Sequence, residues 1–222
     1  MKVIVLLGRS GAGKGTQAQL LRDKFGLEYI GSGDLLRARA QVADFSGVTI
    51  KTVLASGGFS PTALIFKLWM DKMEDFKSRN DSPGFLFDGS PRKIMEAHLI
   101  DETMQWYGWK EAMKIFLLDL APEVAFERLV KRRICEICKA VTSVDFLPKD
   151  KQNLCTTCDG ELGIRSDDEP ESIKSRLALF EKEVLPVIEY YEKDNRLVRV
   201  DGSMSIQEVF EDICNHLIRK EA

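Results

Sequence analysis

The sequence has no apolar run that approaches the ~20 residues required to cross a membrane, so we expect no transmembrane segment. Its first apolar stretch, residues 3–7, ends in Gly-Arg and is too short for the apolar region of a secretory signal peptide. We therefore expect a cytoplasmic protein with no membrane partner.

The chain also lacks a surplus of positive charge. It carries 32 lysines and arginines against 35 aspartates and glutamates, which gives a formal net charge of −3. Proteins that bind nucleic acid polymers through phosphates need a basic surface, so this balance argues against such a partner. Only two histidines occur, and they are not spaced like metal ligands.

Short apolar segments alternate with helical patterns, which predicts βαβ units and a parallel sheet covered by helices on both faces. The predicted strands cover residues 3–7, 27–30, 85–87, 113–118 and 197–200. The predicted helices cover residues 14–25, 34–42, 62–77, 122–133, 171–192 and 205–218, with a bend or break expected at Pro186. The predicted fold class is α/β, with three α/β/α layers around a five-stranded parallel sheet.

Two segments interrupt this alternation and are predicted to be insertions into one core. Residues 31–60 belong to a helical run without a strand, and residues 127–166 carry a cysteine cluster between two helices. The core then consists of residues 1–30, 61–126 and 167–222. A chain of 222 residues suits one core with smaller inserted pieces.

A glycine-rich loop separates the first predicted strand from the first predicted helix. The stretch GRSGAGKGTQ (residues 8–17) resembles the phosphate-binding pattern G-x-x-x-x-G-K-[ST], except that the residue after the lysine is a glycine and the hydroxyl comes one position later. Glycines let several backbone N–H groups point at a phosphate, and the lysine adds a positive charge. The predicted nucleotide-phosphate contacts are Gly11, Ala12, Gly13, Lys14, Gly15 and Thr16.

This loop resembles that of the nucleoside monophosphate kinases, and of the adenylate kinases in particular, in which a glycine after the lysine is normal. Further motifs of that family follow in family order: GSGDLLRA (31–38), GFLFDGSPR (84–92), RLVKRR (128–133), IRSDDEPESIKSRL (164–177) and VDGS (200–203). The resemblance covers nearly the whole chain. It implies a monomeric enzyme that transfers the γ-phosphoryl group of Mg²⁺-bound ATP directly to a nucleoside monophosphate, with AMP favoured.

Arginines at the edges of these motifs suit such a reaction, because phosphoryl transfer requires positioning and neutralisation of negative charge. For any one of them, an ordinary surface position is the alternative. The resemblance implies that Arg37 and Arg92 hold the monophosphate, and that Arg132, Arg165 and Arg176 surround the transferred group. The implied catalytic set is Lys14, Asp88, Arg92, Arg132, Arg165 and Arg176.

The resemblance implies further roles. Asp88 would hold magnesium through water, and Arg128 would stack on the base of ATP, with Arg132 and Met204 as further ATP contacts. Residues 31–60 would close over the acceptor and residues 127–165 over the donor, which excludes water. Asp167 and Asp168 would contact the arginine of this second closing segment and assist closure, with helix capping as the alternative. The implied acceptor site contains Ser32, Arg37, Phe59, Gly89, Arg92, Glu96, Arg165 and Arg176.

Four of the five cysteines form two C-x-x-C pairs, which are separated by sixteen residues. This spacing is typical of a four-thiolate structural zinc site, with iron as a lesser alternative. The predicted ligands are Cys135, Cys138, Cys155 and Cys158. A zinc ribbon that binds nucleic acid is a weaker interpretation, because residues 128–165 contain eight basic and five acidic residues, a surplus of three.

Glu96 is the main departure from the resemblance, because adenylate kinases have a glutamine there that contacts adenine. A carboxylate can only accept hydrogen bonds, which suits guanine N1–H and N2–H₂ better than adenine. Ser32 replaces a usual threonine near the same base. AMP remains the favoured acceptor, and GMP is the alternative. In a third interpretation, Glu96 points to solvent and backbone groups contact adenine. A non-enzymatic nucleotide sensor is a third hypothesis, which the full set of phosphate-binding charges disfavours.

Overall fold

The computed structural model describes residues 1–79, 83–148, 153–165 and 167–218. Its strands are β1 (Lys2–Gly8), β2 (Glu28–Gly31), β3 (Gly84–Asp88), β4 (Met113–Asp119), β5 (Arg132–Cys135), β6 (Val141–Ser143), β7 (Leu162–Gly163) and β8 (Leu197–Asp201). Its helices are α1 (Lys14–Phe25), α2 (Ser32–Arg39), α3 (Phe45–Ala55), α4 (Thr62–Arg79), α5 (Ile94–Trp106), α6 (Pro122–Val130), α7 (Pro170–Leu179), α8 (Leu185–Lys193) and α9 (Ile206–Ile218).

Five strands form one parallel sheet in the order β2-β3-β1-β4-β8, which confirms the predicted fold class. The central strand β1 pairs with β3 on one side and with β4 on the other. The register sets Gly31 beside Asp88 and Gly8 beside Leu118, so these residues lie at the carboxyl edge of the sheet. Open parallel sheets bind their ligands at this edge, where strand order reverses.

Helices cover both faces of the sheet, because side chains of successive strand residues point to opposite faces. Along β1, Val3, Val5 and Leu7 belong to one apolar cluster, whereas Ile4 and Leu6 belong to the other. The first cluster includes Trp69, Phe85 and Phe87, and the second includes Leu21, Phe116 and Ile213. The strands read as continuous apolar runs because both faces are buried.

A second, antiparallel sheet lies in the segment that was predicted to carry the metal. Strand β5 is its centre, with β6 on one side and β7 on the other. The predicted helix 122–133 is therefore too long: α6 ends at Val130, and Arg132 begins a strand by pairing with Ser143. Residues 132–133 therefore form strand hydrogen bonds in this small sheet instead of a last turn of α6.

Two other helix predictions also need correction. Helix α5 was not predicted, although Glu96, Ala97, Ile100 and Met104 give it a buried face. The helix predicted over residues 171–192 remains helical throughout, but a π-helical turn, Phe180–Val184, joins α7 to α8. Pro186 is the second residue of α8, directly after this π-helical turn, so the bend or break expected there takes the form of a local change of helix type.

Within the described ranges, the apolar helices are all too short or too charged to cross a membrane.

Candidate active site

The phosphate loop connects β1 to α1 and depends on glycine at several positions. Gly11 and Gly13 have φ angles of 88° and 90°, a region that favours glycine. A Cβ at Gly11 would lie 2.8 Å from the carbonyl oxygen of Ala125 on α6, so the loop approaches that helix closely. The backbone thus takes the tight turn that the sequence predicts, with Ala12 buried beneath it and Thr16 exposed in the first turn of α1.

The side chain of Lys14 curls back over this loop. Its Nζ donates to the carbonyl oxygens of Gly8 at 2.7 Å and Arg9 at 2.8 Å. Burial lowers the pKa of Lys14 to about 8, while Asp88 opposes the shift and three nearby arginines add to it. The lysine therefore lies among several positive charges, which is the environment that a polyphosphate would neutralise.

Arg9, which the sequence did not single out, anchors the loop on its other side. It donates to the carbonyl oxygen of Leu120 at 3.1 Å and forms an ion pair with Glu181. Its guanidinium carbon lies 4.4 Å from the ring centroid of Phe180, in the π-helical turn. The phosphate loop is thus fixed against the long α7–α8 helix.

Three predicted arginines share Asp167 and Asp168, two aspartates just before α7. Arg132 makes two hydrogen bonds to Asp168, of which the Nε–Oδ2 contact is 2.7 Å. Arg176 donates to Asp168 Oδ1 at 3.1 Å and lies 3.4 Å from Asp167 Oδ2. Arg165 lies 3.3 Å from Asp167 Oδ1. The predicted contact of these aspartates with an arginine of residues 127–165 is therefore present, and Arg176 on α7 joins it.

The charged groups of this cluster shift one another's pKa values. Burial alone would raise the pKa of Asp167, but the surrounding arginines outweigh it and lower the pKa. Burial and the charge of Arg132 lower the pKa of Arg165 to about 10, although a guanidinium stays protonated at neutral pH. The cluster keeps full positive charge near the phosphate loop with only partial compensation by carboxylates.

The two arginines that are predicted to hold the monophosphate, Arg92 and Arg37, have different surroundings. Arg92 Nε donates to the carbonyl oxygen of Gly89 at 2.7 Å, and its guanidinium carbon lies 5.0 Å from the ring centroid of Phe59. Arg37 pairs with Asp34 at 2.6 Å in an exposed position on α2. Arg92 and Arg176 line one cleft together with Lys14, Phe59 and Gly89. Arginines of the predicted donor and acceptor sets thus line the same cleft.

Asp88 lies at the end of β3, beside the loop. A Cβ at Gly15 would lie 3.7 Å from its Oδ2, so the glycine leaves space between the carboxylate and α1. The hydroxyl of Tyr29 donates to the same oxygen at 2.9 Å. Burial, together with the carboxylates of Asp88 and Asp34, raises the pKa of Tyr29 well above its ordinary value, so this hydroxyl stays a donor.

The carboxylate of Asp88 also fits Mg²⁺. This ion keeps several of its waters in proteins and is held by one or two carboxylates together with substrate phosphates. A half-buried aspartate that faces the phosphate loop offers that donor set.

Glu96 is buried rather than solvent-facing, with 3% of its surface exposed, which overturns one of the three interpretations of this residue. Its Oε2 accepts the backbone N–H of Arg92 at 2.8 Å, at the start of α5. Burial raises the pKa of Glu96, although that hydrogen bond and the charge of Arg92 oppose the shift. Ser32 is buried too, and its hydroxyl shares a hydrogen bond with the hydroxyl of Ser90.

Arg128 and Met204 both lie at the turn that follows β8. Arg128 donates to the carbonyl oxygen of Gly202 at 2.9 Å, which ties α6 to the turn after β8. Met204 is half-buried in the same turn. The two residues are thus placed together, although they come from distant parts of the sequence.

The four clustered cysteines converge at one end of the small sheet, and their sulfur atoms all lie within 4.8 Å of one another. Two sulfur pairs are separated by 3.5 Å, for Cys135 and Cys158, and by 3.6 Å, for Cys138 and Cys155. A tetrahedral zinc site with Zn–S bonds of 2.3 Å requires sulfur separations of about 3.8 Å. The donor set and its size therefore fit zinc.

The turn after α3 contacts α7 directly. Ser172 Oγ donates to the carbonyl oxygen of Ala55 at 2.8 Å, and a Cβ at Gly57 would lie 2.6 Å from the carbonyl oxygen of Ser172. Arg176 lies one helical turn after Ser172, so the segment 31–60 is packed next to one of the clustered arginines.

Comparison with known proteins supports a single family. Residues 6–196 match a family model described as adenylate kinase. The chain is 35% identical over 214 residues to an adenylate kinase of Clostridium tetani, which is 96% of this chain and 97% of that protein. It is 35% identical over 215 residues to one of Caldanaerobacter subterraneus subsp. tengcongensis (97% and 96%), and 36% identical over 209 residues to one of Methanocella arvoryzae (94% and 95%).

Proposed function

This chain belongs to the adenylate kinase family, and from that premise we propose how its residues carry out the family reaction. The chain is a nucleoside monophosphate phosphotransferase that reversibly transfers the γ-phosphoryl group of ATP to AMP, with two molecules of ADP as products. No comparison supports GMP as the acceptor.

The observation that carries the proposal is the convergence of positive charge on the phosphate loop. Lys14 lies within electrostatic range of Arg92, Arg132 and Arg176, and of the single carboxylate of Asp88. These residues come from four separate segments of the chain. A polyphosphate chain that is shared by a donor and an acceptor would balance this excess of charge.

On the donor side, we assign the β- and γ-phosphates to the backbone N–H groups of residues 11–16 and to the Nζ of Lys14. Loss of its two carbonyl contacts would free the lysine to reach these phosphates. Arg128 and Met204 would contact the base of ATP at the turn after β8. Arg132, Arg165 and Arg176 would neutralise the charge that spreads over the transferred group.

On the acceptor side, we assign the phosphate of AMP to Arg37 and Arg92. Ser32, Phe59, Gly89 and Glu96 would surround its sugar and base, with Arg165 and Arg176 reaching the same phosphate during transfer. An oxygen of AMP attacks the γ-phosphorus, and the bond to the β–γ bridging oxygen breaks, which leaves ADP on both sides. No covalent enzyme intermediate is required.

Magnesium bound to ATP would neutralise the negative charge that develops during transfer. We assign Asp88 to orient the water molecules of that ion. The cysteine cluster would hold a structural zinc ion, since four protein ligands leave no position open for substrate. The cytoplasm is our proposed location, because thiols stay reduced there and available for metal.

We propose that residues 31–60 and 127–166 move as closing segments on a core of residues 1–30, 61–126 and 167–222. The pairing of Arg132 with Asp168 joins the second segment to α7, and the contact of Ala55 with Ser172 joins the first. Closure would exclude water, which otherwise competes for the phosphoryl group. A monomer contains every residue that this account uses.

The proposal is tested by ADP formation from ATP and AMP with purified wild type, Lys14→Met and Arg92→Ala. Each variant should lower kcat by about 10²–10³-fold, since each removes a group that stabilises transferring charge. The matched controls are Lys67→Met on α4 and Arg22→Ala in the last turn of α1, which remove exposed ion pairs and should retain activity. Undiminished transfer in Lys14→Met or Arg92→Ala would contradict the assigned roles.

A further inference from the structure

The edge strand β2 contains an unusual pair of neighbours on one face of the sheet. Tyr29 and Gly31 are two residues apart, so they face the same side, and Gly31 stands directly beside Asp88 in the register. A Cβ at Gly31 would lie 2.4 Å from both Cε1 and the hydroxyl oxygen of Tyr29. Only glycine at this position lets the tyrosine ring lie along the strand toward its carboxyl end.

The ring of Tyr29 therefore carries its hydroxyl to the carboxyl edge of the sheet, although the backbone of Tyr29 lies two residues before the end of β2. That hydroxyl donates to Asp88 Oδ2 at 2.9 Å. The ring itself is half-buried and packs on the apolar cluster beneath α1, which fixes its position. Asp88 is thus bonded to Tyr29 and faces the first turn of α1 at Gly15.

A carboxylate that orients magnesium-bound water must present its free lone pairs in a fixed direction. The terminal torsion of aspartate is broad, so an unsupported carboxylate samples many directions. Groups that hydrogen-bond to such a carboxylate restrict it, and their loss typically costs 10–100-fold in metal affinity or activity. The geometry around Asp88 matches this type of support.

We propose that Tyr29 is a positioning residue for phosphoryl transfer, that its hydroxyl fixes the Asp88 carboxylate toward the magnesium of bound ATP, and that Gly31 provides the space for this contact. This inference rests on the proposed function. Tyr29 touches neither nucleotide and acts through Asp88.

The test compares Tyr29→Phe, which keeps the ring and removes the hydroxyl, with Tyr190→Phe. Tyr190 makes the same type of contact, a hydroxyl that donates to Asp101 Oδ2 at 2.7 Å, between α8 and α5. For each variant, kcat, the KM for AMP, the melting temperature, and the Kd for ATP with and without Mg²⁺ are measured.

Tyr29→Phe should lower kcat by about 10-fold and leave the KM for AMP within about 2-fold. The factor by which Mg²⁺ tightens ATP binding should shrink, whereas it should stay at the wild-type value in Tyr190→Phe. Gly31→Ala should reproduce the loss, because its Cβ displaces the ring. In an Asp88→Ala background, Tyr29→Phe should cause no further loss of kcat.

A Tyr29→Phe variant with a lower melting temperature but a wild-type Mg²⁺ effect on ATP binding would overturn the inference, since the hydroxyl would then only link two strands. An additive loss in the Asp88→Ala background would overturn it as well. Failure of the wild type to form ADP would contradict the proposed function instead, and the Mg²⁺-dependent binding of ATP would still decide the role of Tyr29.

Discussion

Arg132 and Asp168 face each other as a planar pair, with Nε and one terminal nitrogen of the guanidinium bonded to the two carboxylate oxygens. The side chain of Asp168 is 1% exposed and that of Arg132 is 16% exposed. The same carboxylate accepts from Arg176 at 3.1 Å. One buried acid therefore fixes the positions of two arginines that we assign to the transferred group.

Replacement of that acid should damage both stability and catalysis. Asp168→Ala leaves two partly buried guanidinium groups without their shared acceptor, which should lower the free energy of unfolding by about 3 kcal/mol. It should also lower kcat, because both arginines lose their fixed direction. Denaturant unfolding and steady-state kinetics measure the two effects. Glu171→Gln removes an exposed pair on the same helix and should change stability by less than about 1 kcal/mol.

The pH dependence of the free enzyme should report Lys14. Its pKa is lowered to about 8, so the lysine is charged below that pH and loses its proton as the pH rises through it. Accordingly, kcat/KM for ATP should fall above pH 8 and approach a decrease of about tenfold per pH unit. Lys14→Arg carries a charge that is not lost in this range. A decline at the same pH in Lys14→Arg would assign it to another group.

Metal removal should unfold the cysteine-bearing sheet before the remainder of the chain. Its short strands have little apolar surface, and binding free energy of a structural metal is largely folding free energy. Cys155→Ser should lower the zinc content measured by mass spectrometry and the melting temperature. Cys214→Ser replaces a cysteine that is buried against α1 and should retain full zinc content. Equal zinc content in the two variants would contradict the four-cysteine site.

Glu96→Gln should alter the use of AMP in a pH-dependent way. In our assignment Glu96 faces the acceptor base, and its raised pKa means that the proton needed to donate to adenine N1 is lost as the pH rises through it. The amide of glutamine donates at any pH. Glu96→Gln should therefore raise kcat/KM for AMP at a pH above the pKa of Glu96, and the gain should shrink at a pH below it. A profile of kcat/KM for AMP against pH, recorded for wild type and Glu96→Gln, measures this gain. A ratio of the two that stays constant over the whole profile would show that the carboxyl does not contact the base.

Much of the fold and of the site followed from local patterns. The alternation of apolar runs and helices determined the sheet, and the end of a buried strand placed Asp88 beside the phosphate loop. The cysteine spacing placed four sulfur atoms together. In each case, the geometry is defined by residues that are close in sequence or that lie at strand ends. The sequence alone is therefore sufficient to predict it.

Other features depend on contacts between distant segments. Arg9 reaches Glu181, which is 172 residues away, and its position within a glycine-rich loop gave no indication of this partner. Tyr29 reads as an ordinary strand residue, because its contact with Asp88 requires both the register of β2 and the missing side chain of Gly31. The end of α6 differs from the prediction because pairing of Arg132 with β6, rather than local helix propensity, determines it.

The most direct test of the central claim is kcat/KM for AMP, GMP, CMP and UMP at a fixed concentration of Mg²⁺-bound ATP. The account predicts the highest value for AMP, with ADP as the product from both substrates. A clear preference for GMP, or no transfer to any monophosphate, would contradict it.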